Sequence, residues 1–564
     1  MPEKRIVIVG GVAGGMSCAA RARRLDETAE IIVLERGDEV SFANCGLPYY
    51  VGGEIESRDA LLVQTPESLR AAFDLDVRVR HDVIALDTDA RQVTVRTAEG
   101  TSTIDYDALV LSPGARAVRP PLPGLDSPRV RTLRTVGDAI ALRDRVESGA
   151  KRAVVLGAGF IGVEAAEALR MQGLEVDVIE LAPHILPPLE AELASLIRDE
   201  MARAGITVRE GVGAERVEPG ETHDTVVLGD GTRIPADIIV LSVGVRPDTE
   251  AFEAAGIEVE RGAIVVDEHG RTSAPGVWAV GDAVVSTDAV TGIRRPVALA
   301  GPANRAGRLV ADDILRPSTA RPIPTPLGTA IVRMGELAAA MTGANRASLE
   351  QAGIEFETLH LHPNQHAGYF PGAQQVHLIV HFAPGDGRLL GAQAVGADGV
   401  DKRIDVLATA LRAGMTVDDL IDLDLSYSPP YGQAKDPVNL AGMAGENLLR
   451  GTLSVWHADE LEAVTSEALV LDVRSRGEFA SGHIPGSLNI PHTELRDRMP
   501  EVHDAAAGRP VRALCASGVR SNIAHRQLAQ AGLDSATLSG GILTLKAALP
   551  NGGRDILTTQ GAES

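Results

Sequence analysis

The 564-residue sequence predicts an α/β protein of several domains, dominated by doubly wound parallel sheets. Two observations carry this. One grammar occurs twice: a short apolar run, a glycine-rich turn, a helical stretch, and a second apolar run ended by an acid. After residue 451 apolar strands alternate with helical stretches once more. At roughly 150 residues per domain the length suggests three or four domains.

In the first copy Ile6 to Val9 is the strand, Gly10-Gly11-Val12-Ala13-Gly14-Gly15 the turn and Met16 to Leu25 the helix; Ile31 to Leu34 follows, closed by Glu35. The second copy runs from Ala153 to Leu156, through Gly157-Ala158-Gly159-Phe160-Ile161-Gly162, to Val176 to Ile179, closed by Glu180. A Pro-rich stretch from Arg316 to Pro326 reads as a domain connection. Residues 327–450 read as a mixed α/β region without a glycine signature. Beyond a bridge near Gly451, Leu469 to Asp472 and Val511 to Cys515 read as buried strands.

Composition narrows the function classes. A net charge of −23 argues against a nucleic-acid binder, which needs a basic face to displace counterions. No apolar run reaches the 18 or so residues of a membrane span. Lys4-Arg5 before Ile6 to Val9 superficially resembles a signal peptide, but the run is too short and breaks into glycines. Three cysteines form no disulfide framework and fit a reducing cytoplasm. No metal-ligand set is expected.

The glycine turns have a physical purpose. The first glycine makes the tight turn, the next lets the backbone approach a pyrophosphate, and the last lets helix and strand pack closely; the helix N-terminus faces the phosphates. Gly157, Gly159 and Gly162 form a regular G-x-G-x-x-G, and Glu180 lies 18 residues further on. Such a carboxylate accepts from ribose hydroxyls and repels a 2′-phosphate, which favours NADH over NADPH. The first copy is less regular. Val12 stands at the middle glycine position, between Gly10 and Gly15, and Glu35 lies 20 residues past Gly15.

Two further segments, Leu109-Val110-Leu111-Ser112-Pro113-Gly114-Ala115 and Thr272 to Ala283 with its Gly281-Asp282 pair, complete a resemblance to the two-dinucleotide flavoprotein reductases over residues 4–450. The resemblance implies that the first loop (Gly10, Val12, Ala13, Gly14, Gly15), Glu35 and Asp282 hold FAD. It implies that the second loop (Gly157, Gly159, Phe160, Ile161, Gly162) and Glu180 hold the nicotinamide dinucleotide. Arg36, Asn44, Ser112, Pro113, Gly114, Gly244, Gly281 and Ala300 complete the cofactor-binding set it implies.

Ser41-Phe42-Ala43-Asn44-Cys45-Gly46-Leu47-Pro48-Tyr49-Tyr50 follows the first unit. Glutathione-reductase-like enzymes carry a C-x-x-x-x-C pair here, but this sequence has Tyr50 at the second position. Without a local resolving thiol, Cys45 must form a mixed disulfide, a persulfide or a sulfenic acid. The segment resembles the active-site motif of the coenzyme A disulfide reductases and their persulfide-reductase relatives. Cys18, among Ser17, Ala19 and Ala20, reads as a small core residue. In the resembled enzymes two tyrosines of the third domain reach the partner subunit's cysteine. They match Tyr369 in His366-Ala367-Gly368-Tyr369-Phe370-Pro371-Gly372 and Tyr427 in Leu425 to Tyr431, with ordinary interface packing as the alternative. Phe370 stands where a second tyrosine is common. Basic residues in the first helix, here Arg21, Arg23 and Arg24, hold coenzyme A phosphates in relatives. The alternative is a solvated charged face. Ser41 and Asn44 join Arg21 and Arg24 as the expected substrate contacts.

Leu471-Asp472-Val473-Arg474, Glu478-Phe479 and Gly482 to Pro491 resemble the rhodanese family over residues 454–555. The reactive loop is Cys515-Ala516-Ser517-Gly518-Val519-Arg520-Ser521, between a strand and the helix Asn522 to Leu528. Successive loop N–H groups and the helix terminus make an anion-binding nest that stabilises a thiolate or persulfide, and Arg520 adds a positive charge. Four residues separate Cys515 from Arg520, where related phosphatase loops place five; the shorter loop suits sulfur. A regulatory copy without activity is the alternative.

These readings predict two doubly wound FAD/NAD(P)-binding domains, an α/β dimerisation domain and a C-terminal rhodanese-like α/β domain. The expected boundaries are 1–150 and 246–326 for the FAD domain, 151–245 for the NAD(H) domain, 327–450 for dimerisation and 451–564 for the rhodanese-like domain. The expected enzyme is a cytoplasmic homodimeric flavoprotein. It would reduce coenzyme A persulfide, polysulfide or coenzyme A disulfide through Cys45, with Cys515 carrying sulfane sulfur and coenzyme A as substrate or bound ligand. The fusion moves the balance toward persulfide, because a sulfur carrier adds little to disulfide reduction. An NADH oxidase or peroxidase cycling Cys45 through sulfenic acid, and a non-enzymatic redox sensor or sulfur carrier, are the alternatives.

Overall fold

The computed structural model describes residues 4–553 and 556–558. The chain divides into two compact units, residues 1–186 with 201–328 and residues 187–200 with 329–564.

The first unit holds both glycine loops. Its first sheet has five parallel strands in the order Val277–Ala279, Ala108–Leu111, Arg5–Val9, Glu30–Leu34, Asp76–Arg78. Its second has the order Ile206–Arg209, Glu175–Ile179, Arg152–Leu156, Ile238–Leu241, Val130–Arg131, again all parallel. The second sheet thus takes an edge strand from before residue 151. Near-continuous burial of Ile6 to Val9 and Ala153 to Leu156 is what a parallel sheet covered on both faces requires. The helix Ala13–Leu25 packs against Ala300–Leu315 through small residues; a Cβ on Gly307 would lie 2.1 Å from the Gly14 carbonyl oxygen. The helix begins three residues before the expected Met16, because Ala13, Gly14 and Gly15 are already helical.

The second unit contains two sheets. Ala330–Met334, Leu337–Gly343, Leu389–Gly396, Val376–Phe382 and Glu357–Leu361 form an antiparallel sheet in that order. The helices Val400–Ala413 and Pro437–Leu449 complete its core through Ile404, Leu407, Val438 and Ala441. Val455–Trp456, Ser535–Leu538, Val511–Leu514, Leu469–Asp472 and Leu488–Asn489 form a parallel sheet in that order. The reactive-loop helix runs from Val519 to Gln530, so it starts inside the loop rather than at Asn522. Among the described residues no helix is long and apolar enough to cross a membrane.

Candidate functional site

The two glycine loops are built alike. Gly10 and Gly157 adopt φ of 97° and 96°, which only glycine takes without strain. A Cβ on Gly15 would sit 1.9 Å from the Gly10 carbonyl oxygen, and one on Gly162 would sit 2.0 Å from that of Gly157. The middle position differs. Gly159 has open space around its missing Cβ, and Val12 has a φ of −114°, so neither the backbone nor the packing demands glycine there. The irregular first motif is therefore a sound turn. Each terminal acid fastens its loop. Glu35 accepts from Gly11 N–H at 2.8 Å and Gly37 N–H at 2.7 Å; Glu180 accepts from Ala158 N–H at 2.7 Å and Ala182 N–H at 2.8 Å. A carboxylate offers roughly four acceptor positions, which leaves capacity for a ribose.

A cavity of about 500 Å³ opens beside the first loop, lined by Gly10, Glu35, Arg36, Pro113, Arg116 and Asp248 among others. Arg36 pairs with Asp248, and Arg116 with Glu250. Asp282 lies 3.7 Å from Arg134, and burial holds its carboxyl above the usual range, partly offset by that guanidinium. Gly10, the Glu35 carboxylate and Arg36 in this lining are groups that could meet one end of a dinucleotide such as FAD; Asp282 lies outside the lining. Ser112 and Pro113 edge the first loop, and Ser242 does the same for the second, donating to the Leu156 and Gly157 carbonyls at 2.9 and 2.8 Å. Ser242 was missed in the sequence, although Leu241-Ser242-Val243-Gly244 echoes Leu111-Ser112-Pro113-Gly114. Gly244, Gly281 and Gly114 adopt φ of 106°, 81° and 72°. Phe160 and Ile161 open the helix Phe160–Met171, and Ala300 opens Ala300–Leu315.

Cys45 sits with Asn44 in an exposed single turn, Asn44–Gly46, leading into the helix Leu47–Val51. Ser41, just before it, takes a φ of 48°, a left-handed conformation that costs a non-glycine residue. Desolvation, then the Glu164 and Asp282 carboxylates, raises the Cys45 thiol above its ordinary value. Cys18 is buried and pushed up to about 12 by desolvation, as an inert core thiol should be. Of the three arginines in the first helix, Arg23 is buried and donates to the Phe73, Asp26, Glu27 and Asp74 carbonyls. Arg21 pairs with Asp312 at 2.7 Å, and Arg24 lies over the Phe73 ring.

In the second unit Tyr369 is 77% exposed and Tyr427 48%, and their hydroxyls lie 3.2 Å apart. That bond raises the Tyr369 phenol above its ordinary value. Phe370 packs edge-on against His366 instead. Two segments far apart in sequence thus converge on one pair of exposed phenols.

The Cys515 loop is fully wired. Cys515 is 1% exposed, and its sulfur accepts from Gly518 N–H at 3.2 Å and Ser521 Oγ–H at 3.4 Å. Thr537 Oγ1 donates to Ser521 at 2.6 Å, extending the chain of hydroxyls through buried residues. Gly518 takes a φ of 92° to turn the loop. Gly541 allows the loop to be backed closely: a Cβ there would lie 2.6 Å from the Cys515 carbonyl oxygen. Arg520 donates to both Glu478 oxygens at 2.7 and 2.9 Å. Asp472 and Arg474 form a buried pair, and Arg474 donates to the Gly482 carbonyl at 2.7 Å, so they support the domain rather than the loop. Ser521 and Thr537 carried no sequence signal of their role; Glu478 carried only its place in a motif.

Known proteins share these domains and this fold. The pyridine nucleotide-disulphide oxidoreductase family matches residues 4–307, its dimerisation domain 329–437, and the rhodanese-like domain 456–548. The coenzyme A disulfide reductase of Staphylococcus haemolyticus is 34% identical over 449 residues, 79% of this chain and 100% of that protein. The crystal structure of reduced CoADR-RHD from Bacillus anthracis superposes with a TM-score of 0.95 at 38% identity, covering 99% of this chain and 100% of that one. The NAD-dependent persulfide reductase from A. fulgidus gives 0.90 at 35% identity, covering 96% and 99%. The chain therefore belongs to the pyridine nucleotide-disulphide oxidoreductases, as an enzyme of the coenzyme A disulfide and persulfide reductase type with a C-terminal rhodanese domain.

Proposed function

We propose that this enzyme is an NADH-dependent reductase of coenzyme A persulfide, polysulfide or coenzyme A disulfide, with Cys45 as redox thiol and Cys515 as carrier of sulfane sulfur. The observation that carries the reading is the pairing of an exposed, singly placed Cys45 with an intact, hydrogen-bonded Cys515 loop in one chain. The Cys45 thiolate attacks the inner sulfur of a persulfide R–S–SH; a Cys45–S–S–R bond forms, the original S–S bond breaks, and HS⁻ leaves. With a disulfide R–S–S–R the same bond forms and RS⁻ leaves. The first loop, Glu35 and Asp282 would hold FAD, and the second loop and Glu180 would hold the nicotinamide dinucleotide; together these groups would supply the hydride equivalent that returns Cys45 to thiolate and releases R–SH. Tyr369 and Tyr427 would donate to the departing thiolate across a homodimer interface, consistent with their exposure and with the dimerisation-domain match. Arg21, Arg24, Ser41 and Asn44 remain the residues we assign to coenzyme A. For Arg21 this requires sharing its guanidinium with Asp312. A reducing cytoplasm suits this chemistry.

The test is anaerobic NADH oxidation with coenzyme A persulfide and coenzyme A disulfide, assaying released sulfide. Wild type should turn over persulfide faster, and Cys45→Ser should turn over neither. Cys515→Ser should fail only when sulfur comes from an external donor. Reduction of oxygen or peroxide in place of both sulfur substrates would replace this reading with an oxidase. Glu180 should give NADH at least about a tenfold advantage in kcat/KM over NADPH, the value of one charge-assisted hydrogen bond. Equal use of the two nucleotides would remove Glu180 from cofactor selection.

A further inference from the structure

The Cys515 loop contains one cation, Arg520, and a carboxylate already offsets its charge. Its terminal nitrogens donate to both oxygens of Glu478, which lies 42 residues earlier on the helix Arg476–Ala480. Glu478 is itself fixed from the other side, because Ser475 N–H and Oγ–H donate to its Oε2 at 3.0 and 2.8 Å. The other nearby arginines are committed as well. Arg474 pairs with Asp472 in the interior, and Arg476 pairs with Glu494 at 2.7 Å. Once Cys515 is a thiolate, the group of sulfur, guanidinium and carboxylate carries a net charge of about −1. The rim beside it is apolar: Val519 and Ile523, four apart on one helix face, are 68% and 46% exposed.

We propose that Glu478 is a positioning residue that sets donor specificity: by cancelling the charge of Arg520 it selects thiol-borne persulfides as sulfur donors and discriminates against the thiosulfate dianion. This rests on the sulfurtransferase reading of Cys515. In the selected reaction the Cys515 thiolate attacks the outer sulfur of R–S–SH. Cys515–S–SH forms, the S–S bond of the donor breaks with its electron pair going to the inner sulfur, and R–S⁻ leaves; no external oxidant or reductant is needed. With thiosulfate the same attack would give Cys515–S–S⁻ and expel sulfite as a dianion. Charge would then build beside a guanidinium whose positive charge Glu478 already offsets. A persulfide brings at most one charge at the sulfur end, and an organic arm can lie on the Val519–Ile523 rim.

Sulfur transfer to cyanide by the full-length holoenzyme, measured with glutathione persulfide and with thiosulfate, tests this. Wild type should prefer the persulfide by roughly ten- to a hundredfold in kcat/KM, the worth of one to two charge-assisted contacts. Glu478→Gln should raise the thiosulfate-to-persulfide ratio about tenfold, and Glu478→Asp, which keeps the charge, should hold it near wild type. Added salt should speed wild-type transfer from thiosulfate by screening like charges. That measurement needs no variant to fold. A wild type that uses both donors equally, an unchanged ratio in Glu478→Gln, or a salt-independent thiosulfate rate overturns the role of Glu478. Transfer that survives in Cys515→Ser overturns the sulfurtransferase reading instead.

Discussion

Replacing Arg403 by alanine should destabilise the second unit by about 3–5 kcal/mol, the usual cost of leaving one member of a buried ion pair alone. Arg403 is 1% exposed. Its Nη2 and Nε donate to Asp436 at 2.7 and 3.3 Å, its Nη2 also to the Gln365 carbonyl at 2.6 Å, and its Nη1 to the Gly399 carbonyl at 3.2 Å. Lys402, 3.8 Å from Asp436, is too peripheral to replace it. Asp436 also caps the helix Pro437–Leu449, accepting from Val438 N–H at 3.1 Å. The functional consequence follows from what Gln365 does. It closes the segment carrying Tyr369 through bonds with Gln374 and Gly372, while Gln433, beyond Tyr427, donates to the Asn364 carbonyl. One guanidinium therefore anchors the roots of both tyrosine segments. Arg403→Ala should lower the denaturant midpoint and raise hydrogen exchange over residues 363–375 and 425–433. Arg403→Met with Asp436→Leu should cost less than Arg403→Ala alone, because it removes both charges. A loss below about 1 kcal/mol for Arg403→Ala would mean that water reaches Asp436.

The second large effect is acid lability. His360, His362 and His377 of the antiparallel-sheet domain meet His457, Ser539 and Thr544 of the C-terminal domain. His362 lies 2.8 Å from both His377 and Thr544, His360 lies 2.9 Å from Ser539 Oγ, and His360 stacks edge-on with His457. Desolvation depresses His377 and His457 to about 4, and holds His362 well below its ordinary value with His377 and His360 as further causes. Arg346 also lowers His457, while Asp459 and Glu192 oppose the shift. The folded state thus binds fewer protons than the unfolded chain. Stability is complete above the unfolded value of about 6.5 and falls as pH drops toward 4. His377 and His457 should each contribute a loss of about 3 kcal/mol by pH 4, an upper figure. Below pH 4.5 a second loss begins. Glu192 is held at about 2, with desolvation the largest opposing influence and the bond to His360 the main cause of the lowering. Proteolytic cleavage near Thr452 should accelerate between pH 7 and 5, and His457→Gln with His377→Gln should flatten that dependence. A rate independent of pH over this range would show that the histidines are hydrated.

Several features that matter were written locally. Gly10, Gly15, Gly157 and Gly162 were readable because each answers a short-range demand, a positive φ or a carbonyl within 2 Å of the missing Cβ. The segments around Cys45 and Cys515 could be singled out because each is contiguous, and the parallel sheets were readable because buried strands make unbroken apolar runs. The dimerisation region was read only as mixed α/β. Period-two and period-3.6 patterns report which face is buried, not which strand lies beside which.

By itself, then, the sequence determined the fold class and the two glycine turns between strand and helix. Only tertiary structure decided how their neighbours are used. It buried Arg23 against backbone carbonyls, tied Arg21 to Asp312 across 291 residues, closed Glu478 on Arg520, hung Ser521 from Thr537, and set Tyr369 against Tyr427. The physical reason is range. A turn or a capped strand end is dictated within a few residues. An ion pair or a hydroxyl relay exists only after distant segments have been packed to within about 3 Å of each other, where desolvation makes each polar contact either satisfied or costly.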